Sequence, residues 1–366
     1  MSVPELGITD TLGFTVLPGA LKILHPGRDT ALFVGETAAL FRIVDRYNNA
    51  TVDPPAVSTG GGGLFAPNAT SASITATAVG TQYVTVRMGA LADSISVRVV
   101  PVGRLVVWAI TQRALLLVDL TGRTLRTIIA SGVDGGLGVS PRFDETRQRV
   151  TLHVGPDGGG GASTVIVVDT AGAPRRDIGP ASGFSSVLAE RQRADGTLFV
   201  VGRRTSELAT APYSLWRVAT DNVITSVATI PGLVATYNGV DISHGATRVA
   251  YIVPPLNELH VFNVATGSST IIEASATSPR WSASDDRIAY LAEHGVIAYI
   301  NPEGTGRRLF GTTLYNPGIA WSPDGAYLLG RNVNGALHLV RASDGLIVII
   351  HRAGTDSDDF WQPDWR

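Results

Sequence analysis

The sequence predicts an all-β chain in two parts: a β-sandwich over residues 1–101, then a six-bladed β-propeller over residues 104–366 closed by a C-terminal inner strand. Three observations carry this. Apolar and polar side chains alternate along the first hundred residues. Further on, an apolar or aromatic residue is followed seven positions later by an apolar strand residue, four times over. A β-run ending in a polar residue and then a Gly or Asp turn recurs six times, at spacings of 38 to 50 residues.

The length of 366 residues exceeds what one hydrophobic core supports, so two domains are expected. With 41 Gly and 20 Pro, the composition is rich in turns. The charge is nearly balanced, 29 basic against 31 acidic residues, and Lys22 is the only Lys. The Arg residues are scattered, so no nucleic-acid surface is expected, since phosphate binding needs clustered cations. The absence of Cys excludes disulfides, Cys-ligated zinc and a thiol nucleophile. No apolar run reaches the roughly 18 residues of a membrane helix.

In the first part, Ser71–Val79, Tyr83–Arg87 and Ser94–Val99 each alternate with period two. That pattern buries one face of a strand and wets the other. Turns are expected at Val34-Gly35-Glu36, Asn48-Asn49, Gly60–Gly63 and Met88-Gly89-Ala90. The Gly60–Gly63 run lacks the Gly-Lys-Ser/Thr and following helix of a phosphate loop, and is expected to be a hairpin tip. The runs Leu32–Leu40, Val44–Asn48, Ala78–Thr81 and Val97–Pro101 together resemble the bacterial Ig-like family of group 2, over roughly residues 14 to 101. The tryptophan often found mid-domain in that family has no counterpart here. The resemblance implies an Ig-like β-sandwich serving as a spacer or adhesive module on an exported protein.

In the second part, the seven-residue interval links Phe143 to Val150, Ile242 to Val249, Trp281 to Ile288 and Trp321 to Leu328. A strand, a tight turn and a second strand explain it. The polar-then-turn marker occurs at Asp119 with Gly122, Asp169 with Gly172, and Arg217 with Asp221. It recurs at Asn263 with Gly267, Asn301 with Gly304, and Arg341 with Gly345. Six units of this period read as propeller blades. The first unit, residues 104–130, shows three strands, and Gln362–Arg366 reads as an inner strand with nothing after it. The C-terminus is therefore expected to complete the first blade and close the ring, pairing edges that would otherwise stay open.

The segments Ser278-Pro279-Arg280-Trp281-Ser282, Ala320-Trp321-Ser322-Pro323-Asp324-Gly325 and Pro363-Asp364-Trp365 resemble the TolB-type propeller family, with Arg287-Ile288-Ala289-Tyr290 as the strand that follows its motif. The match is degenerate in units two and four and weak in unit three, around Asp195-Gly196. The resemblance implies a six-bladed ring with a central channel, mostly periplasmic or secreted, mostly acting as a protein-interaction platform. Some members are domains of peptidases and carry a separate hydrolase domain, for which this chain has no room. Met1–Glu5 has no signal-peptide character, so an extracellular, cell-surface or periplasmic location is expected with the signal peptide outside this chain.

Trp281, Trp321 and Trp365 are expected to pack between blades. Asp324 is expected to bond its own turn. No His-x-x-x-His pair, Gly-x-Ser-x-Gly elbow or sialidase-type Asp box is present, so no catalytic residues, no cofactor and no activity are expected. The acidic run gives one weak metal candidate, Asp356, Asp358 and Asp359, against a solvated loop. Binding is expected on the face shared by the loops entering each inner strand and the loops inside each second hairpin. Arg203, Arg204, Glu207, Tyr237, Asn238, His294, Tyr315 and Asn316 are its candidate residues. The expected partner is a protein, peptide or glycan. The alternatives are a self-assembling subunit of an extracellular filament or surface layer, and a hydrolase or lyase acting in the channel.

Overall fold

The computed structural model describes residues 2–3, 8–9, 22–25, 29–45, 47–50, 56–59, 63, 65–68, 73–110, 112–130, 139–154, 163–235, 239–351 and 360–365. Met1–Val99 and Val100–Arg366 form two compact units. Among the described residues, the regular structure is strand apart from short 3₁₀ turns, and no helix is long and apolar enough to cross a membrane.

The N-terminal unit holds a four-stranded sheet in the order Asp29–Phe33, Leu91–Val100, Gly80–Met88, Ala56–Thr59. A second sheet pairs Thr37–Ala38, Ser73–Ala76 and Phe65–Asn68, and Lys22–Leu24 pairs with Arg42–Val44. The alternation does the sorting. Val84, Val86, Ile95, Val97 and Val99 are buried, while Tyr83 and Ser94 are exposed. The inward residues of both sheets meet Leu32, Phe41, Phe65 and Ile74 in one core. Gly35 and Gly89 turn the chain at φ of +87° and +58°, a region closed to most side chains. Of the Gly60–Gly63 run, residues 60–62 lie outside the described residues.

The second unit contains six four-stranded antiparallel sheets among the described residues. From innermost to outermost strand, the second to sixth sheets each run forward along the chain, beginning at Val139–Phe143, Phe184–Gln192, Val240–Ile242, Thr277–Trp281 and Ala320–Trp321. The first sheet is different. Its innermost strand is Phe360–Trp365, paired antiparallel with Arg104–Ala109, then Ala114–Asp119 and Thr124–Ile129. The innermost strands of the third to sixth sheets contact one another in order, the sixth meets the first and the first meets the second, while Phe184–Gln192 of the third sheet meets Arg149–Val154 of the second.

The seven-residue intervals are cross-strand pairs: Phe143 faces Val150, Ile242 faces Val249, Trp281 faces Ile288 and Trp321 faces Leu328. The turn between them is held by its first residue. The Oγ atoms of Ser243, Ser282 and Ser322 accept the N–H of Arg248, Arg287 and Tyr327 at 3.1, 3.1 and 2.8 Å. Asp144 does the same for Arg149 at 3.1 Å. In the third sheet the turn through Asp195-Gly196 is one residue shorter, and Gln192 pairs with Leu198 instead. The polar residues of the second marker also hold turns. Asp119 Oδ1 accepts the N–H of Thr121 and Arg123, and Gly122 closes the turn at φ +93°.

Each sheet buries its face against the next. Trp108, Leu115 and Leu117 of the first sheet meet Phe143, Val150 and Leu152 of the second. Trp281 packs on Ile252 and Val261 of the fourth sheet, within one core. Trp321 lies 5.8 Å from the Tyr299 ring of the fifth. Trp365 lies 6.2 Å from the Tyr327 ring of the sixth, so the last junction repeats the others. Arginines cover these rings, with Arg248 5.0 Å over Trp281 and Arg287 4.8 Å over Trp321.

The closing strand should therefore dominate stability. Trp365→Ala is expected to cost about 3–5 kcal/mol, the usual range for emptying a buried aromatic site. Gly103→Ala is expected to cost about 1–3 kcal/mol by overpacking, because a Cβ there would overlap Trp365 Nε1 and lie 2.9 Å from Leu120 Cδ1. Urea denaturation of both variants checks this. An unchanged midpoint for Trp365→Ala would show that the C-terminal strand does not lock the unit.

Candidate functional site

An innermost strand is an edge: one side pairs with its sheet and the other faces the axis of the ring. Pro is tolerated on such a strand because its missing N–H is not needed there. Pro141, Pro279 and Pro363 occupy the same place in the tetrapeptides Ser140–Phe143, Ser278–Trp281 and Gln362–Trp365. The residue after each Pro is charged, and the next is the aromatic that turns outward into the packing. Register aligns these charged positions. Arg142, Arg191, Asp241 and Arg280 pair with Thr151, Phe199, Ala250 and Ala289, one step from the turn in the second to fifth sheets; Asp364, paired with Val106, and Ala320 hold this place in the first and sixth.

The result is a layer of charge on the axis. Asp241 is fully buried and bonds Arg142 and, at 3.2 Å, Arg191. Arg142 belongs to the second sheet and Asp241 to the fourth, so this pair meets across the ring. Asp241 Oδ2 also accepts the N–H of Trp281 at 2.7 Å. Asp364 repeats that contact three sheets away, on the other half of the ring, accepting the N–H of Phe143 at 2.7 Å. Arg191 is held further by the Ile242 carbonyl at 3.2 Å and by His244 at 3.4 Å. Below this layer, buried Glu190 accepts from Thr151 Oγ1 at 3.2 Å and lies 3.5 Å from His153 Nδ1.

Burial alone would raise the Asp241 carboxyl pKa. Arg142, then Arg191 and Arg280, and the Trp281 N–H outweigh burial and hold it far below the usual carboxylate range. Burial lowers the pKa of His153. Burial and repulsion from Arg142 push Arg280 down to about 10, which leaves it charged at neutral pH.

A cavity of about 430 Å³ opens onto this layer. Arg142, Arg191, Arg280 and Asp364 line it, with Trp281 and Trp321 in its wall. Asp144, His244, Asp285 and Ser322 also line it, so it lies at the end of the ring that carries the turns between first and second strands. Asp285 ties two of those turns together by accepting the N–H of His244 and Gly245 at 2.7 and 2.9 Å.

The loop residues expected to bind lie at the opposite end. Arg203, Arg204 and Glu207 sit in one hairpin, and each is already engaged. Arg203 bonds the Ala211 carbonyl at 2.8 Å and stacks 4.3 Å from the Tyr213 ring. Arg204 covers Phe184 at 4.8 Å, and its N–H donates to Glu207 Oε2 at 2.7 Å. Tyr315 is buried, with its hydroxyl 3.2 Å from His338 Nδ1, and Asn316 donates to the Asn332 carbonyl. His294 is exposed beside Glu293, and the Tyr315 N–H donates to Gly295 of the same hairpin. Thus His294, Tyr315 and Asn316 are neighbours, and so are Arg203, Arg204 and Glu207. None of these six lines the cavity. Tyr237, Asn238, Asp356, Asp358 and Asp359 lie outside the described residues. Among the described residues no group of three or more His, Asp or Glu is placed to hold a metal ion.

No protein-family model matches the chain, and no curated protein matches it in sequence. Solved structures do resemble it. A chain of the nidogen/laminin complex superposes with a TM-score of 0.53 at 9% identity, over 72% of this chain and 98% of that one. The Cps50 β-propeller domain of Myceliophteria thermophila gives 0.44 at 14% identity, over 73% and 82%. A DUF4784 family protein from Bacteroides caccae gives 0.46 at 10% identity, over 96% and 100%. The likeness to the nidogen/laminin chain is one of fold, and the fold is propeller-like and all-β.

Removing the Asp241 charge should be costly. Asp241→Asn strands two buried guanidiniums, with an expected loss of about 3–5 kcal/mol at neutral pH. The folded pKa is depressed, so the contribution is full above the unfolded value near pH 4 and drains as pH falls below it. Urea midpoints of both proteins from pH 7 downward should differ by a constant gap that narrows only below about pH 4. A gap that closes between pH 7 and 5 would show that Asp241 is not held as an ion.

Proposed function

We propose that the chain is a non-catalytic binding module of an exported protein. In this reading the six sheets are the blades of a TolB-type six-bladed β-propeller over residues 104–366. Residues 1–101 are a bacterial Ig-like domain of group 2 that spaces it. The sheet order, the cyclic contacts and the Trp-Ser turn chemistry support the first assignment. Two facing sheets with alternating burial support the second. The fold-level neighbour comes from a complex of nidogen with laminin, which fits a propeller used to engage another protein.

The observation that carries the reading is where large apolar side chains are exposed. Leu208, Leu256 and Val333 are 79, 67 and 53% exposed, and each lies in a loop between the second and third strands of its sheet. Val234, 50% exposed, lies in the connection from the third sheet to the fourth. All four belong to the same end of the ring, the loop end. Val223, 53% exposed, sits at the other end, and the larger group of apolar side chains at the loop end marks a surface for a protein partner.

Immobilised protein should retain partner proteins from the culture supernatant of its own organism. The variant carrying Leu208→Asp, Val234→Asp, Leu256→Asp and Val333→Asp should lose that retention. Its folding stability should stay within about 0.5 kcal/mol per substitution, as surface changes do. Equal retention by the variant would remove the loop end as the binding surface.

A further inference from the structure

The cavity at the opposite end of the ring holds cationic donors with nothing to bind. Arg280 is buried, and its guanidinium makes one hydrogen bond among the described residues, from Nη1 to the carbonyl of its neighbour Pro279 at 3.1 Å. A guanidinium carries five N–H donors. Arg142 is buried as well. It bonds Asp241 through Nη1, while its Nε has no partner among the described residues. An unmet donor shut inside a protein, such as Arg142 Nε, is expensive.

The carboxylates nearby do not answer them. Asp241 is taken by Arg142, Arg191 and the Trp281 N–H. Asp364 accepts from Phe143, and Asp285 accepts from His244 and Gly245. Asp144 and Glu145 accept backbone N–H groups of their own and the adjoining turn. Three guanidiniums thus share the level of two carboxylates, and the third, Arg280, has no ion pair among the described residues. The space in front of it is of ordinary ligand-pocket size.

We propose that this channel mouth is an oxyanion site, in which Arg280 and Arg142 hold a carboxylate or phosphate group of a ligand entering from the turn end of the ring. One such group supplies the acceptors that Arg280 lacks, at a mouth that Arg142 also lines. Guanidiniums suit it because their planar forks match the two oxygens of a carboxylate. The site is independent of the apolar loop surface and stands if that surface binds nothing. Free organic acids, inorganic phosphate and the C-terminus of a peptide all present the group, and separate probes distinguish them.

The test is calorimetric titration and thermal melting of the full chain with succinate, inorganic phosphate, and N-acetyl-dialanine as acid and as amide. Succinamide is the uncharged control for succinate. At least one oxyanion should bind saturably at one site per chain and raise the melting temperature, while succinamide and the amide do neither. Arg280→Gln should weaken that binding about ten- to a hundredfold, the worth of a charge-assisted hydrogen bond. Whichever probe binds most tightly identifies the source of the group. If Arg280→Gln does not fold, as judged by circular dichroism, the comparison of succinate with succinamide on the unsubstituted protein decides. The proposal is overturned if no oxyanion binds, if succinamide matches succinate, or if folded Arg280→Gln binds as the parent does.

Discussion

The second unit depends on one pairing, that of Phe360–Trp365 with Arg104–Ala109. Each sheet has an apolar face that only its neighbour covers, so an open array would leave one face wet and one edge unpaired. The C-terminal strand removes both at once. It supplies the backbone partner for Arg104–Ala109, and Trp365 packs toward Tyr327 of the sixth sheet. Sequence neighbours build five of the sheets. The first requires the two ends of a 260-residue stretch to meet, so this contact carries the largest loop-closure cost and holds the others in place.

Closure also explains the charges on the axis. Six innermost strands leave their unpaired edges facing one another, and their side chains there cannot all be apolar without collapsing the channel, nor all of one sign without repulsion. Here an acid from the fourth sheet bridges bases from the second and third, and an acid from the first caps the second. Such buried pairs fix geometry more than they add stability. Their geometric consequence is a level floor from which Arg280 projects without a carboxylate of its own.

Much of this architecture is legible in the amino-acid sequence. The seven-residue interval is a cross-strand pair, and Asp119, Asp169 and Asn263 hold the turns that follow them. The Trp residues of the motif are packing residues, as their repeat position implied. The third sheet was hard to read because its turn is a residue shorter and Gln192 replaces the aromatic. The charged layer was illegible for another reason. Arg142, Arg191, Asp241 and Arg280 stand 39 to 50 residues apart, and only strand register puts them on one level. The repeated Pro-then-charge of Pro141-Arg142, Pro279-Arg280 and Pro363-Asp364 was the available signal. Loop composition pointed instead to Arg203 and Arg204, whose guanidiniums are spent on stacking and on the carbonyls of Ala211 and Ser182.

The two ends of the ring therefore differ in kind. One presents exposed apolar side chains on loops, and the other a charged recess behind tight turns. Apolar loop surfaces serve either a foreign partner or further copies of the same chain, and only the first makes the protein a binding module. Light scattering of the purified protein across a concentration series separates these most directly. The account predicts one constant mass, that of the monomer, at every concentration. Growth into open-ended oligomers would contradict it and make the chain a subunit of a filament or layer.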